Sequence, residues 1–214
     1  MTGDAVDVHD GTVAATPVAA TPRTRTNRDA DLVRIAAELF RKRGYAETSV
    51  QNIATELGIR KASVYHYIDS KDDLLYRICC EVHEDGKQVL DDIEAMDATA
   101  LERLDAYIHR HVHYIIANID RISVYYSLFE RLSPDRRTEL AAFRRQHVRR
   151  LSQLVEAARQ EGAVRADADP RLAASCVLGT MNWVYTWYRE GGRVQVDELA
   201  DFIARFCLDG LVVR

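Results

Sequence analysis

Residues 49–75 read "SVQNIATELGIRKASVYHYIDSKDDLL", two short amphipathic runs on either side of a glycine, the second followed by an aromatic, basic edge. Counting from Ala54, Gly58 follows at four residues and the apolar Val64 at ten. This is the spacing of a helix-turn-helix, in which a small residue lets the helices approach and the apolar one pins the second helix to the core. Two such helices bury little surface alone, so they need a brace. A preceding helix over about 29–43 supplies it: Leu32, Ile35, Ala36, Leu39 and Phe40 recur at helical spacing, and Gly44 stops the run. Thr48 with Gln51 reads as the capping box of the next helix, and Ser70 with Asp73 as the cap of a long helix reaching Ile93.

The outer edge of the second helix shows Arg60, Lys61, Ser63, Tyr65 and His66. Arg60 and Lys61 stand at its N-terminal end, the part of a recognition helix that meets base edges in a major groove. Ser63, Tyr65, His66 and Lys71 can donate to phosphate oxygens, with Thr48 and Ser49 as a second phosphate clamp. Charge supports that reading. The chain of 214 residues carries a net charge of −4, yet residues 23–71 hold ten Lys/Arg against six Asp/Glu. A basic head on an acidic body suits a polyanionic partner, double-stranded DNA. Many glycine-turned helix pairs touch no DNA, and that plainer reading stays open at this level.

The run 48–75 resembles the signature of TetR-type transcriptional regulators, including the Tyr65-His66-Tyr67 block and "SKDDLL" at 70–75, and the resemblance covers about 29–76. It departs from the pattern at Ile68, where such proteins usually carry phenylalanine, and at Arg60-Lys61-Ala62, which replaces a commoner Ser-Lys-Gly. Those changes bear on which operator is read. The resemblance implies an all-α fold of about nine helices. A three-helix DNA-binding head over 29–73 would be followed by a ligand-binding and dimerising body over 74–214, acting as a homodimeric repressor that a small effector releases. Residues 1–28 read as a disordered tail with a basic arm, "RTRTNR", at 23–28.

In the body, helices are expected near 99–117, 120–131, 133–160, 169–190 and 196–211, with Ser133-Pro134 and Asp169-Pro170 marking two starts. The 169–190 helix is small in its first half and aromatic in its second. Its first half, with Leu199, Phe202, Ile203, Phe206 and Leu211 of the last helix, is expected at a two-fold interface. Partners one helical turn apart in the duplex, about 34 Å, give that interface its purpose. Met181, Asn182, Trp183 and Trp187, together with Tyr125, Tyr126 and Phe129, are candidates for an effector pocket; ordinary core is the competing reading. The run "NWVYTWYREGG", residues 182–192, is similar to the corresponding end of TetR-type regulators of fatty-acid and steroid catabolism, which implies an acyl-CoA effector. Drugs or other planar apolar compounds are the alternative. Cations for the phosphates of a CoA would come from Arg121, Arg144, Arg145, Arg149, Arg150 and Arg189.

His109 and His113 lie one turn apart and could chelate a metal in a helical enzyme, while His111 points elsewhere. No third ligand stands at readable spacing, and no nucleophile-base pattern or phosphate-cradling glycine loop appears, so neither cofactor nor catalysis is expected. The four cysteines, Cys79, Cys80, Cys176 and Cys207, form no CxxC pair and read as buried free thiols. No apolar run is long enough to span a bilayer, and a cytoplasmic location is expected.

Overall fold

The computed structural model describes residues 25–213, all helix and connecting turns apart from one isolated antiparallel bridge between Val164 and Val212. The elements are α1 (Arg25–Arg43), α2 (Val50–Leu57), α3 (Lys61–Val64), α4 (Lys71–Glu94), α5 (Ala100–Ala117) and α6 (Ile119–Leu128). A 3-10 turn (Phe129–Arg131) follows, then α7 (Pro134–Gln160), α8 (Pro170–Asn182), α9 (Val184–Trp187) and α10 (Val196–Asp209). Of the tail expected over 1–28, residues 1–24 lie outside the described residues. Helix α1 begins at Arg25, so its backbone takes in part of the basic arm expected to precede it.

The head forms as its spacing requires. Ala54 and Val64 are fully buried, and Gly58 sits in the left-handed region at φ 70°, its N–H closing on the Ala54 and Thr55 carbonyls. A residue with a Cβ would be strained there. The capping box, however, is one residue later than expected. Ser49 is the N-cap, accepting from the Asn52 N–H at 3.1 Å while its own N–H donates to Asn52 Oδ1 at 2.8 Å. Thr48 is instead fully buried, its hydroxyl directed at the carbonyls of Gly44 (2.8 Å) and Leu39 (3.3 Å). A buried hydroxyl takes the partners that the end of α1 supplies.

In the body, α5 is the central helix, packed against α4, α7, α8 and α10, and it buries Leu104, Tyr107, Ile108, His111, Val112 and Ile115. Asp169 caps α8 through the Arg171 and Leu172 N–H groups, as the Asp-Pro pair predicts. The single helix expected over 169–190 is divided. It breaks at Trp183, where Thr186 N–H turns back to the Trp183 carbonyl at 3.1 Å, and Tyr188 ends α9 in extended geometry. No glycine or proline marks this break. It coincides with the Asn182 side chain meeting His111 Nε2 at 3.1 Å, a tertiary contact. Among the described residues no helix is long and apolar enough to cross a membrane.

Candidate DNA-reading head and effector cavity

On the head, Arg60, Lys61, Tyr65 and His66 are exposed and Ser63 is half-exposed, so α3 and the turn after it present one polar, basic edge to solvent. Tyr65, 48% exposed, projects an aromatic ring with no core to cover it. Ser49 is exposed at the N-terminus of α2, where free backbone N–H groups favour an anion. Two of the expected phosphate ligands are placed differently. Thr48 faces the core and its hydroxyl is already bonded. Lys71 is half-buried, donating to the Tyr45 carbonyl at 2.7 Å and the Thr48 carbonyl at 3.0 Å, with its ammonium 4.2 Å from the centre of the Tyr45 ring. Lys71 therefore holds the loop before α2 against the start of α4.

Between α4, α5, α6, α7 and α8 lies a cavity of about 270 Å³. Of the residues expected to line it, Tyr125, Tyr126 and Asn182 do so. The others do not. Met181 is fully buried in the core. Phe129 packs on Tyr125 and under Arg144. Trp183 and Trp187 are 63% and 49% exposed, because the break between α8 and α9 leaves their stripe facing outward. Tyr185 from that segment does turn inward, stacking on Tyr126 at 5.3 Å.

What the sequence did not announce is the histidine content of this cavity. His83 on α4, His111 on α5 and His147 on α7 all line it. Tyr107, fully buried, joins two of them, its hydroxyl 2.7 Å from His147 Nε2 and 3.5 Å from His111 Nδ1. Burial holds all three imidazoles neutral: His83 falls to about 4, with Arg144 adding to the effect. His147 falls to about 3, with His111, His83 and Arg150 adding to it. His111 is lowered by burial, against its hydrogen bond to Asn182. A usable signal was present in the inward stripe of α4, where Gly86 falls between Val82 and Leu90 and leaves the space that His147 approaches.

His109 and His113, the alternative metal pair, are engaged otherwise. His109 bonds the Asp105 carbonyl at 2.9 Å and Asp201 at 3.0 Å, and His113 reaches Asp197 at 3.1 Å. Both tie α5 to α10, while His111 between them is the one that faces the cavity. Cys176 is exposed and Cys80 and Cys207 half-buried, so of the four thiols only Cys79 is fully covered.

Beside the cavity lies a groove of about 690 Å³ along α7 and α8 that shares Arg144, Val148 and Ser175 with it and adds Arg145, Arg149 and Arg171. By contrast, Arg121 is bound to Glu81 and Asp85, Arg150 to Asp91 and Glu94, and Arg189 donates to the Tyr188 carbonyl.

Cavity and head are mechanically joined. Arg136 of α7 donates to the Asp72 carbonyl at 3.0 Å and to Asp73 at 3.1 Å, and Tyr76 donates to Glu139 at 2.6 Å. The helix that carries Arg144 and His147 thereby grips the first turn of α4. On the other side, Arg77 of α4 holds Asp29 and the Tyr67 carbonyl, and Arg41 of α1 pairs with Asp120 of α6 at 2.7 Å.

A glycine-turned helix pair with a basic, aromatic edge, seated on a helical body that encloses a cavity, defines a helix-turn-helix transcriptional regulator rather than an enzyme. The family is specific. Residues 32–78 match the model for bacterial regulatory proteins of the tetR family, residues 97–211 that for the tetracyclin repressor-like C-terminal domain, and the chain belongs to the TetR family. It is similar to the HTH-type transcriptional repressor KstR2 of Rhodococcus jostii strain RHA1, 30% identical over 188 residues, covering 87% of this chain and 92% of the relative. Among solved structures it is similar to the TetR family transcriptional regulator PfmR from Thermus thermophilus, with a TM-score of 0.77 and 28% identity over 83% of this chain and 97% of that one. It is also similar to AibR in complex with isovaleryl coenzyme A and operator DNA, with a TM-score of 0.74 and 27% identity over 84% of this chain and 97% of that one.

Proposed function

We propose that the chain is a cytoplasmic, homodimeric repressor that leaves its operator when an acyl-CoA thioester binds, with a head over 29–73 and a body over 74–214. The observation that carries the effector reading is that the cavity and the arginine groove adjoin, sharing Arg144, Val148 and Ser175 in their linings. One compartment suits an acyl group. The other offers Arg144, Arg145, Arg149 and Arg171, none of them in an ion pair among the described residues, to the phosphates of the nucleotide. AibR, a solved relative, was captured with isovaleryl coenzyme A and operator DNA, which supports an acyl-CoA as the ligand class.

In the head, Arg60 and Lys61 would meet base edges, while Ser49, Ser63, Tyr65 and His66 would bond phosphates. Pairing of two heads rests on α8 and α10. Leu172, Phe202 and Phe206 are 66%, 60% and 64% exposed, and the last two rings stack on each other. Large apolar side chains gathered on one face mark a protein contact, and a two-fold axis lets that face meet itself. Effector binding between α4 and α8 would move α7, and through Arg136 the start of α4, so that the heads no longer fit successive major grooves. Lowering operator affinity a hundredfold requires about 2.8 kcal/mol of differential binding.

Anisotropy of a labelled promoter fragment from the chain's own locus tests the reading. Medium-chain acyl-CoAs should release the protein, whereas free acids and CoA alone should not. Replacing Arg145 and Arg149 together with alanine should raise the concentration needed by at least tenfold and leave operator affinity unchanged. Release by uncharged planar compounds, with none by any thioester, would sink it.

A further inference from the structure

Tyr125 is 3% exposed, yet its hydroxyl has no hydrogen-bond partner, and neither has Nε2 of His83 beside it. Their rings meet edge to face at 5.2 Å, and both line the effector cavity. Buried polar groups are left without partners at a cost of free energy that a native fold rarely carries for nothing, and in a cavity one reason is an occupant that completes them. Nearby, the Tyr107 hydroxyl is already used by His147, and Asn182 by His111. Tyr114 of α5, which also lines the cavity, carries a third buried hydroxyl without a partner, and of the three Tyr125 and His83 stand in direct ring contact. No Asp or Glu lines the cavity, and Arg144 stands at its mouth. The wall therefore suits oxygen, and a plain hydrocarbon chain would leave Tyr125 and His83 dry and unbonded.

We propose that the effector's acyl group carries a hydroxyl or keto oxygen that bonds Tyr125 and His83, so that the protein distinguishes oxygenated acyl groups from saturated ones. This rests on the acyl-CoA reading and specifies it further. At about 270 Å³ the cavity lies at the small end of ligand pockets, which suits a short or medium acyl group.

Calorimetric titration of the full chain with matched six- and eight-carbon acyl-CoAs tests this, the acyl groups either saturated or bearing one hydroxyl or keto group beyond C3. At least one oxygenated thioester should bind about tenfold tighter than its saturated counterpart. Tyr125→Phe should bring that preference below about threefold while leaving saturated binding within twofold. The same variant without ligand should melt no lower than the parent, because it removes an unbonded hydroxyl; a purely structural tyrosine would lower it. His83→Phe provides a second reading of the same preference. Equal affinity for all matched pairs, or a preference that survives both substitutions, overturns the proposal and leaves the acyl-CoA reading standing. Binding of no thioester, with operator binding intact, overturns both.

Discussion

The ammonium of Lys71 donates to the carbonyl of Tyr45 at 2.7 Å, joining the first turn of α4 to the loop that sets the start of α2. A lysine whose place at a helix N-terminus suggests a phosphate contact is, in this fold, a clamp inside the head. Lys71→Met keeps the stem and leaves the Tyr45 and Thr48 carbonyls without that donor. The expected cost is about 1–3 kcal/mol, with a thermal midpoint a few degrees lower and weaker operator binding in parallel. An unchanged midpoint together with a flatter salt dependence of binding would make Lys71 a phosphate ligand after all.

The dimer surface makes a second prediction, and it reassigns Trp183. With that ring 63% exposed beside α8, replacing it should leave the cavity and the effector affinity largely intact. Phe206→Asp places a charge in the proposed contact. Sedimentation should then show single subunits at micromolar concentration and operator binding should be lost, with the helical circular dichroism retained. A variant that stays paired would remove α10 from the interface.

Coupling through α7 is separable from binding. Arg136→Ala breaks the grip on Asp72 and Asp73 but touches neither cavity nor α3. Acyl-CoA affinity should stay within about twofold, while release of the operator fragment at saturating effector becomes incomplete. Full release by this variant would place the coupling elsewhere, the Arg41–Asp120 contact being the next to test.

The cavity histidines predict a pH dependence with a definite sign. His83 is held at about 4 and His147 at about 3 in the fold, against an ordinary value of 6.5 that applies once the chain unfolds. Below 6.5 the unfolded chain takes up protons that the folded one refuses. The two histidines therefore cost nothing above that pH and destabilise the fold increasingly as pH falls from 6.5 toward 4 and 3. Thermal midpoints measured from pH 7 to 4 should fall, and less steeply for His83→Phe, which keeps the space filled and titrates nothing. Identical slopes would show that carboxylates alone govern the decline.

Much of the head was legible because its constraints are local. The distances from Ala54 to Gly58 and Val64 fix a turn and a buried anchor, and the exposed edge follows from which face is left. The capping box was misplaced by one residue because Thr48 and Ser49 have similar capping chemistry; only the end of α1, with its Gly44 and Leu39 carbonyls, decides which hydroxyl goes inward. In the body, periodicity located the helices but not their partners. The aromatic stripe at 183 and 187 reads as a pocket wall on a continuous helix, and the turn at Trp183 sends it outward.

The sequence by itself determined an all-helical chain, a paired-helix head with a basic edge, and an apolar last helix, since each depends on residues within a few turns of one another. Only the tertiary structure decided that His83, His111 and His147, carried on three helices, line one cavity, that Tyr107 completes two of them, and that Tyr125 is left unbonded. The physical reason is that a cavity is a volume between elements. Its lining is set by crossing geometry and by which polar groups lose water together, and neither is written in the spacing of a single helix.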